Sequence, residues 1–113
     1  MSKRLLGSEH PTVAVGLNNL ALLYKFQGRY SEAEPLYVKA LEISKRLLGA
    51  EHQDVARSLN NLALLYNAQG RYSEAEPLLV ESLRMSKRLL RADHPNTVIV
   101  RRNLESLSNQ QTG

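Results

Sequence analysis

The sequence contains no cysteine, which excludes a disulfide framework, a thiolate metal site and a thiol nucleophile. Tryptophan is absent and phenylalanine occurs once, so few rings are available for stacking on nucleic-acid bases. No apolar run approaches the roughly 18 residues of a membrane span, and Met1-Ser2-Lys3-Arg4-Leu5-Leu6 is too short for a signal peptide. The expectation is a soluble, unexported, cytoplasmic protein. A Gly-rich phosphate loop is missing, and Ser, His and Asp are nowhere grouped like a catalytic triad outside repeated segments. The net charge of +4 is mild and its basic residues are dispersed, which favours acidic partners only weakly. At 113 residues the chain is one domain's worth, with room for a moderate core.

What the chain does have is repetition. The stretch Leu17-Asn18-Asn19-Leu20-Ala21-Leu22-Leu23-Tyr24 returns unchanged at Leu59–Tyr66, and Gln27–Leu36 returns unchanged at Gln69–Leu78. Laying Ser2–Ile43 over Ser44–Met85 gives a period of about 42 residues with about 30 identities, inside the range that marks helical arrays. A third copy begins at Ser86 and runs for half a unit. The division is thus repeat 1 over 2–43, repeat 2 over 44–85, a half repeat over 86–108 and a polar tail over 109–113.

Apolar residues recur at three-and-four spacing within each unit, which predicts helices near Thr12–Phe26, Ser31–Leu48, Gln53–Ala68, Ser73–Leu90 and Pro95–Ser108, and no strand. Gly28 and Gly70 supply stops. Ser31-Glu32-Ala33-Glu34, and its copy at Ser73, reads as a capping box, with Tyr30 placed to staple against Pro35. Ser2–Leu6 resembles the end of a preceding helix, since Leu5-Leu6 matches Leu47-Leu48 and Leu89-Leu90. The last helix departs from the pattern: Arg101, Glu105, Ser106 and Ser108 stand where earlier copies have Leu, Ala, Leu and Tyr. This reads as a solvated end cap.

Two constellations invite chemistry. His10, His52 and His94 hold equivalent loop positions, but packed helices lie about 8–10 Å apart and zinc needs roughly 2.0–2.1 Å to each ligand. A helix-start role is expected instead. The carboxylate pairs Glu32/Glu34 and Glu74/Glu76 sit in first turns, where negative charge is stabilised by the dipole. The Ser-Lys-Arg triplets place cations at helix ends by the same logic. No catalytic residue, metal or cofactor is assigned, and the chain is read as a non-enzyme.

Small residues at Ala21, Ala33 and Ala40, with Tyr24, Gly28, Tyr30 and Tyr37, resemble those of tetratricopeptide repeats. The longer unit, with Leu-Asn-Asn-Leu-Ala-Leu-Leu-Tyr, Gly-Arg-Tyr and Glu-Ala-Glu-Pro-Leu, is similar to the kinesin-light-chain subtype. The resemblance implies an all-α solenoid of antiparallel helix pairs wound into a right-handed superhelix, whose first helices line a concave peptide groove. By that register the groove-facing residues are Val15, Asn18, Asn19, Leu22, Lys25 and Phe26, then Arg57, Asn60, Asn61, Leu64 and Asn67, then Ile99, Arg102 and Asn103. An amide both donates and accepts, which suits a peptide backbone, and Lys25, Arg57 and Arg102 would attract carboxylates.

Three functional classes follow. One is a scaffold binding an extended, acidic protein or peptide segment. A second is a structural or engineered repeat fragment that self-associates, as a homodimer through the first helix face bearing Leu17, Leu20, Leu22 and Leu23. The third, single-stranded nucleic-acid binding, is the weakest, because the tyrosines are better used as core.

Overall fold

The structure is a computed structural model that describes residues 11–49, 51–91 and 93–112. Among them are five helices and no strand: α1 Pro11–Phe26, α2 Tyr30–Leu48, α3 Gln53–Ala68, α4 Tyr72–Leu89 and α5 Pro95–Thr112. Each helix packs chiefly on its chain neighbours, and the first helices α1, α3 and α5 also touch side by side. Turns of three residues within each unit set the paired helices antiparallel. The expected last helix ended at Ser108, but α5 continues through Asn109 to Thr112, because nothing in that polar segment breaks a helix. The proposed stump at Leu5 and Leu6 lies outside the described residues.

The end of α1 is set by Gly28, whose φ of 79° is left-handed; the N–H of Arg29 then reaches back to Tyr24 O at 2.8 Å, and Gly70 repeats the motif with φ 77°. This geometry corrects the expected capping box. The chain leaves the turn already helical, so α2 begins at Tyr30 with Arg29 as its N-cap, and no side chain caps it. Ser31 is inside the helix, and Glu32 is held by the Arg29 guanidinium. The same holds at Arg71, Ser73 and Glu74. Tyr30 accordingly packs on the core as a helical residue. Histidine does start helices as expected: His52 Nδ1 accepts from the Asp54 N–H at 3.0 Å, and His94 Nδ1 from the Asn96 N–H at 3.1 Å. His10 lies outside the described residues.

The core is nearly continuous along the stack. Ala21, Ala33, Ala63 and Ala75 have no exposed surface, which lets paired helices approach closely, and Tyr37 and its counterpart Leu79 fill equivalent interior places. A polar clamp joins the two units. Glu34 accepts from Tyr66 Oη at 3.1 Å and from Arg71 Nη1 at 3.0 Å, while the Arg71 guanidinium lies over the Tyr66 ring. The Arg71 guanidinium is pushed further up from its usual value by its bonds to Glu74 and then Glu34, and it holds Glu74 below the usual carboxylate range in turn. Glu34 therefore ties one repeat to the next, a role that replaces the one it was given in the capping box.

Candidate functional site

The row formed by α1, α3 and α5 carries every residue assigned to the groove. Asparagine is a mediocre helix former, so its recurrence on this row calls for a local use. One use is visible: Asn103 Nδ2 donates to Asn60 Oδ1 at 3.0 Å, bridging α5 to α3. At the preceding rung Asn18 Oδ1 is buried and has no partner among the described residues, as is the case for Asn67 Oδ1 further along α3. A buried amide oxygen is costly to leave without a donor.

The row splits by exposure. Val15, Asn19, Leu22, Phe26, Arg57, Ile99 and Arg102 are exposed; Asn18, Lys25, Asn61, Leu64, Asn67 and Asn103 are half-buried; Asn60 is buried. Burial pushes the Lys25 amine below its usual value. Arg57 is engaged by Asp54 at 2.7 Å within α3.

Two depressions lie along this face. The larger, a groove of about 210 Å³, lies among α3, the end of α4 and the start of α5, and brings together Arg57, Asn60, Asn61 and Ile99. Its other walls come from residues the sequence reading did not assign, notably Ser86 and Leu90 of the second-helix end and Asn96 and Val100 of α5. The second depression, of about 10 Å³, collects Val15, Asn18 and Arg57 between α1 and α3. Asn19, Leu22, Lys25, Phe26, Leu64, Asn67, Arg102 and Asn103 line neither. The missed walls had a signal: Ser44 and Leu48 recur one repeat later as Ser86 and Leu90. Among the described residues no group of His, Asp or Glu side chains is arranged to hold a metal ion, and no helix is long and apolar enough to cross a membrane.

A stack of helix pairs with its first helices in one row and a polar-rimmed groove along them is an α-solenoid, a fold whose members act as protein-interaction scaffolds. The profile of the tetratricopeptide repeat matches residues 1–46, 12–88 and 54–112, and the chain belongs to that family. BtubC (BKLC) from P. vanneervenii is similar in structure, with a TM-score of 0.85 and 28% identity over 90% of this chain and 41% of that one. A kinesin light chain with nearly identical TPR-like repeats from Podosopora anserina superposes with a TM-score of 0.82 and 27% identity over 91% of this chain and 49% of that one. A second structure of that protein gives 0.79 and 29%. This chain thus spans less than half the length of the structures it resembles. No curated protein matches the sequence.

Proposed function

We propose that the row of first helices binds an extended, acidic peptide segment of a protein partner. The observation that carries this reading is the groove among α3, α4 and α5. It combines an apolar floor, amides at Asn60, Asn61 and Asn96, the cation of Arg57, and no carboxylate in its lining. Amides satisfy a peptide backbone without dictating its sequence, and Lys25, Arg57 and Arg102 along the same row favour acidic side chains. A screen of proteome-derived peptides tests it. Asn61→Ala should weaken the selected peptides about tenfold, the worth of one net hydrogen bond at a desolvated amide. Lys87→Ala, at the end of α4 away from the row, should leave affinity within a factor of two or so of the parent. Equal affinity for the Asn61 variant and the parent would put the binding site elsewhere.

A second reading, self-association through α1, is favoured by one observation. Leu20, Leu22, Leu23 and Phe26 are 40%, 41%, 50% and 77% exposed, whereas Leu62 and Leu65, the counterparts of Leu20 and Leu23, are 4% and 0% exposed. A contiguous apolar face of this kind pairs most simply with its own copy about a two-fold axis. Sedimentation across a wide concentration range should show a reversible dimer, which Leu20→Lys with Leu23→Lys abolishes. A parent that stays monomeric throughout would end this reading.

A further inference from the structure

The two depressions along the groove are one site occurring twice. Each residue lining the smaller one has its counterpart, one repeat on, in the lining of the larger. Ala14, Asn18, Ser44 and Leu48 return as the identical residues Ala56, Asn60, Ser86 and Leu90. The other four positions change: Val15 to Arg57, Asp54 to Asn96, Arg57 to Ile99 and Ser58 to Val100. The consequence is a difference of volume, about 10 Å³ against about 210 Å³. In the first copy one wall carries an ion pair on α3, Arg57 Nη2 to Asp54 Oδ1 at 2.7 Å, between residues one helical turn apart. In the second copy Asn96 and Ile99 stand at those positions and form no pair, Val100 adds apolar surface, and Arg57, which lines both depressions, stands where Val15 does in the first.

We propose that the groove among α3, α4 and α5 is the anchor pocket along the row of first helices. It takes one leucine-sized apolar side chain of the bound peptide, and its repeat-equivalent between α1 and α3 takes none because the Asp54–Arg57 pair closes it. Volume sets the size of the guest: an apolar cavity of about 150 Å³ holds a benzene molecule, so the larger groove admits one such group and the smaller one at most a water. Chemistry sets its nature. The lining carries apolar surface from Ala56, Leu90, Ile99 and Val100, with no ring to stack on, beside the amides of Asn60, Asn61 and Asn96. The peptide-groove reading supplies the identity of the natural guest; the pocket itself is testable without a peptide.

The probe is N-acetyl-L-leucinamide, titrated into the protein and followed by methyl NMR. Saturable shifts are expected at Ala56, Leu90, Ile99 and Val100 and not at Ala14 or Val15, and N-acetyl-L-alaninamide should bind about tenfold more weakly or worse, having lost most of the apolar group. Asn96→Asp with Ile99→Arg transplants the ion pair and should abolish the shifts while the helical circular-dichroism signal is retained. The reverse exchange, Asp54→Asn with Arg57→Ile, should open the first copy and add a second set of shifts at Ala14 and Val15; it also decides the matter should the first variant fail to fold. Equal binding of the two probes, shifts at both sites in the parent, or no new site in the reverse variant would overturn the proposal. Failure of the peptide-groove reading looks different: the leucine probe binds as expected, yet no peptide in the screen does. Peptides that depend on Asn61 but ignore the transplanted ion pair would leave that reading standing and overturn this one.

Discussion

Leu65→Ala should lower the free energy of unfolding by about 2–5 kcal/mol in urea denaturation, while Leu23→Ala should lower it by less than about 1 kcal/mol. The two leucines occupy the same place in identical octapeptides, so local sequence predicts equal losses. Their surroundings differ. Leu65 has no exposed surface and lies in the cluster that joins α2 to α3, with Tyr37, Leu41, Leu59 and Leu62 around it. Shortening its isobutyl group to a methyl leaves a cavity that close-packed neighbours fill only in part. Leu23 is 50% exposed, and the same truncation there takes away surface that water already reaches. Equal losses at the two positions would mean that α1 is covered in solution as α3 is. If dimerisation provides that cover, the cost of Leu23→Ala will grow with protein concentration, and that of Leu65→Ala will keep its value at every concentration.

This pair also shows what could be read from residues alone. Helix identity and most boundaries were legible, because an apolar stripe at helical spacing and a glycine at each turn determine them locally. Burial was not legible in the same way, since an identical residue is interior or exposed according to which unit packs beside it. The capping box at Ser31 failed for a related reason. Its pattern is a local one, but the left-handed Gly28 motif had already directed Arg29 to the cap position and left Ser31 inside the helix. Glu34 was misread because its partners, Tyr66 and Arg71, come from the following unit. The groove was half legible. The resemblance named Arg57, Asn60, Asn61 and Ile99, which share one pocket, but the opposite wall comes from the end of α4, and only a comparison of the lining across repeats exposes the exchange of Asp54 and Arg57 for Asn96 and Ile99.

Thr97→Val should raise the free energy of unfolding by about 1–3 kcal/mol, the desolvation cost of a buried hydroxyl left without a partner. Thr97 has no exposed surface, and its Oγ1 has no hydrogen-bond partner among the described residues. Its counterparts in the first two units are Val13 and Val55, the latter also fully buried, so the valine shape is one this fold already accommodates at that position. Valine matches threonine in branching at Cβ, which leaves the hydroxyl as the principal difference. A matched control separates this from a general preference for apolar residues. Ser82 is equally buried, and its counterpart is Ala40, but its Oγ donates to Ala56 O at 2.6 Å. Ser82→Ala should therefore cost about 0.5–1.5 kcal/mol, the net worth of a satisfied hydrogen bond. Both substitutions restore the residue of an earlier repeat at a buried polar site, yet thermal and urea unfolding should move in opposite directions. A Thr97 variant no more stable than the parent would mean that the hydroxyl has a hydrogen-bond partner in solution, such as an internal water, and that the site is not the orphan its geometry makes it.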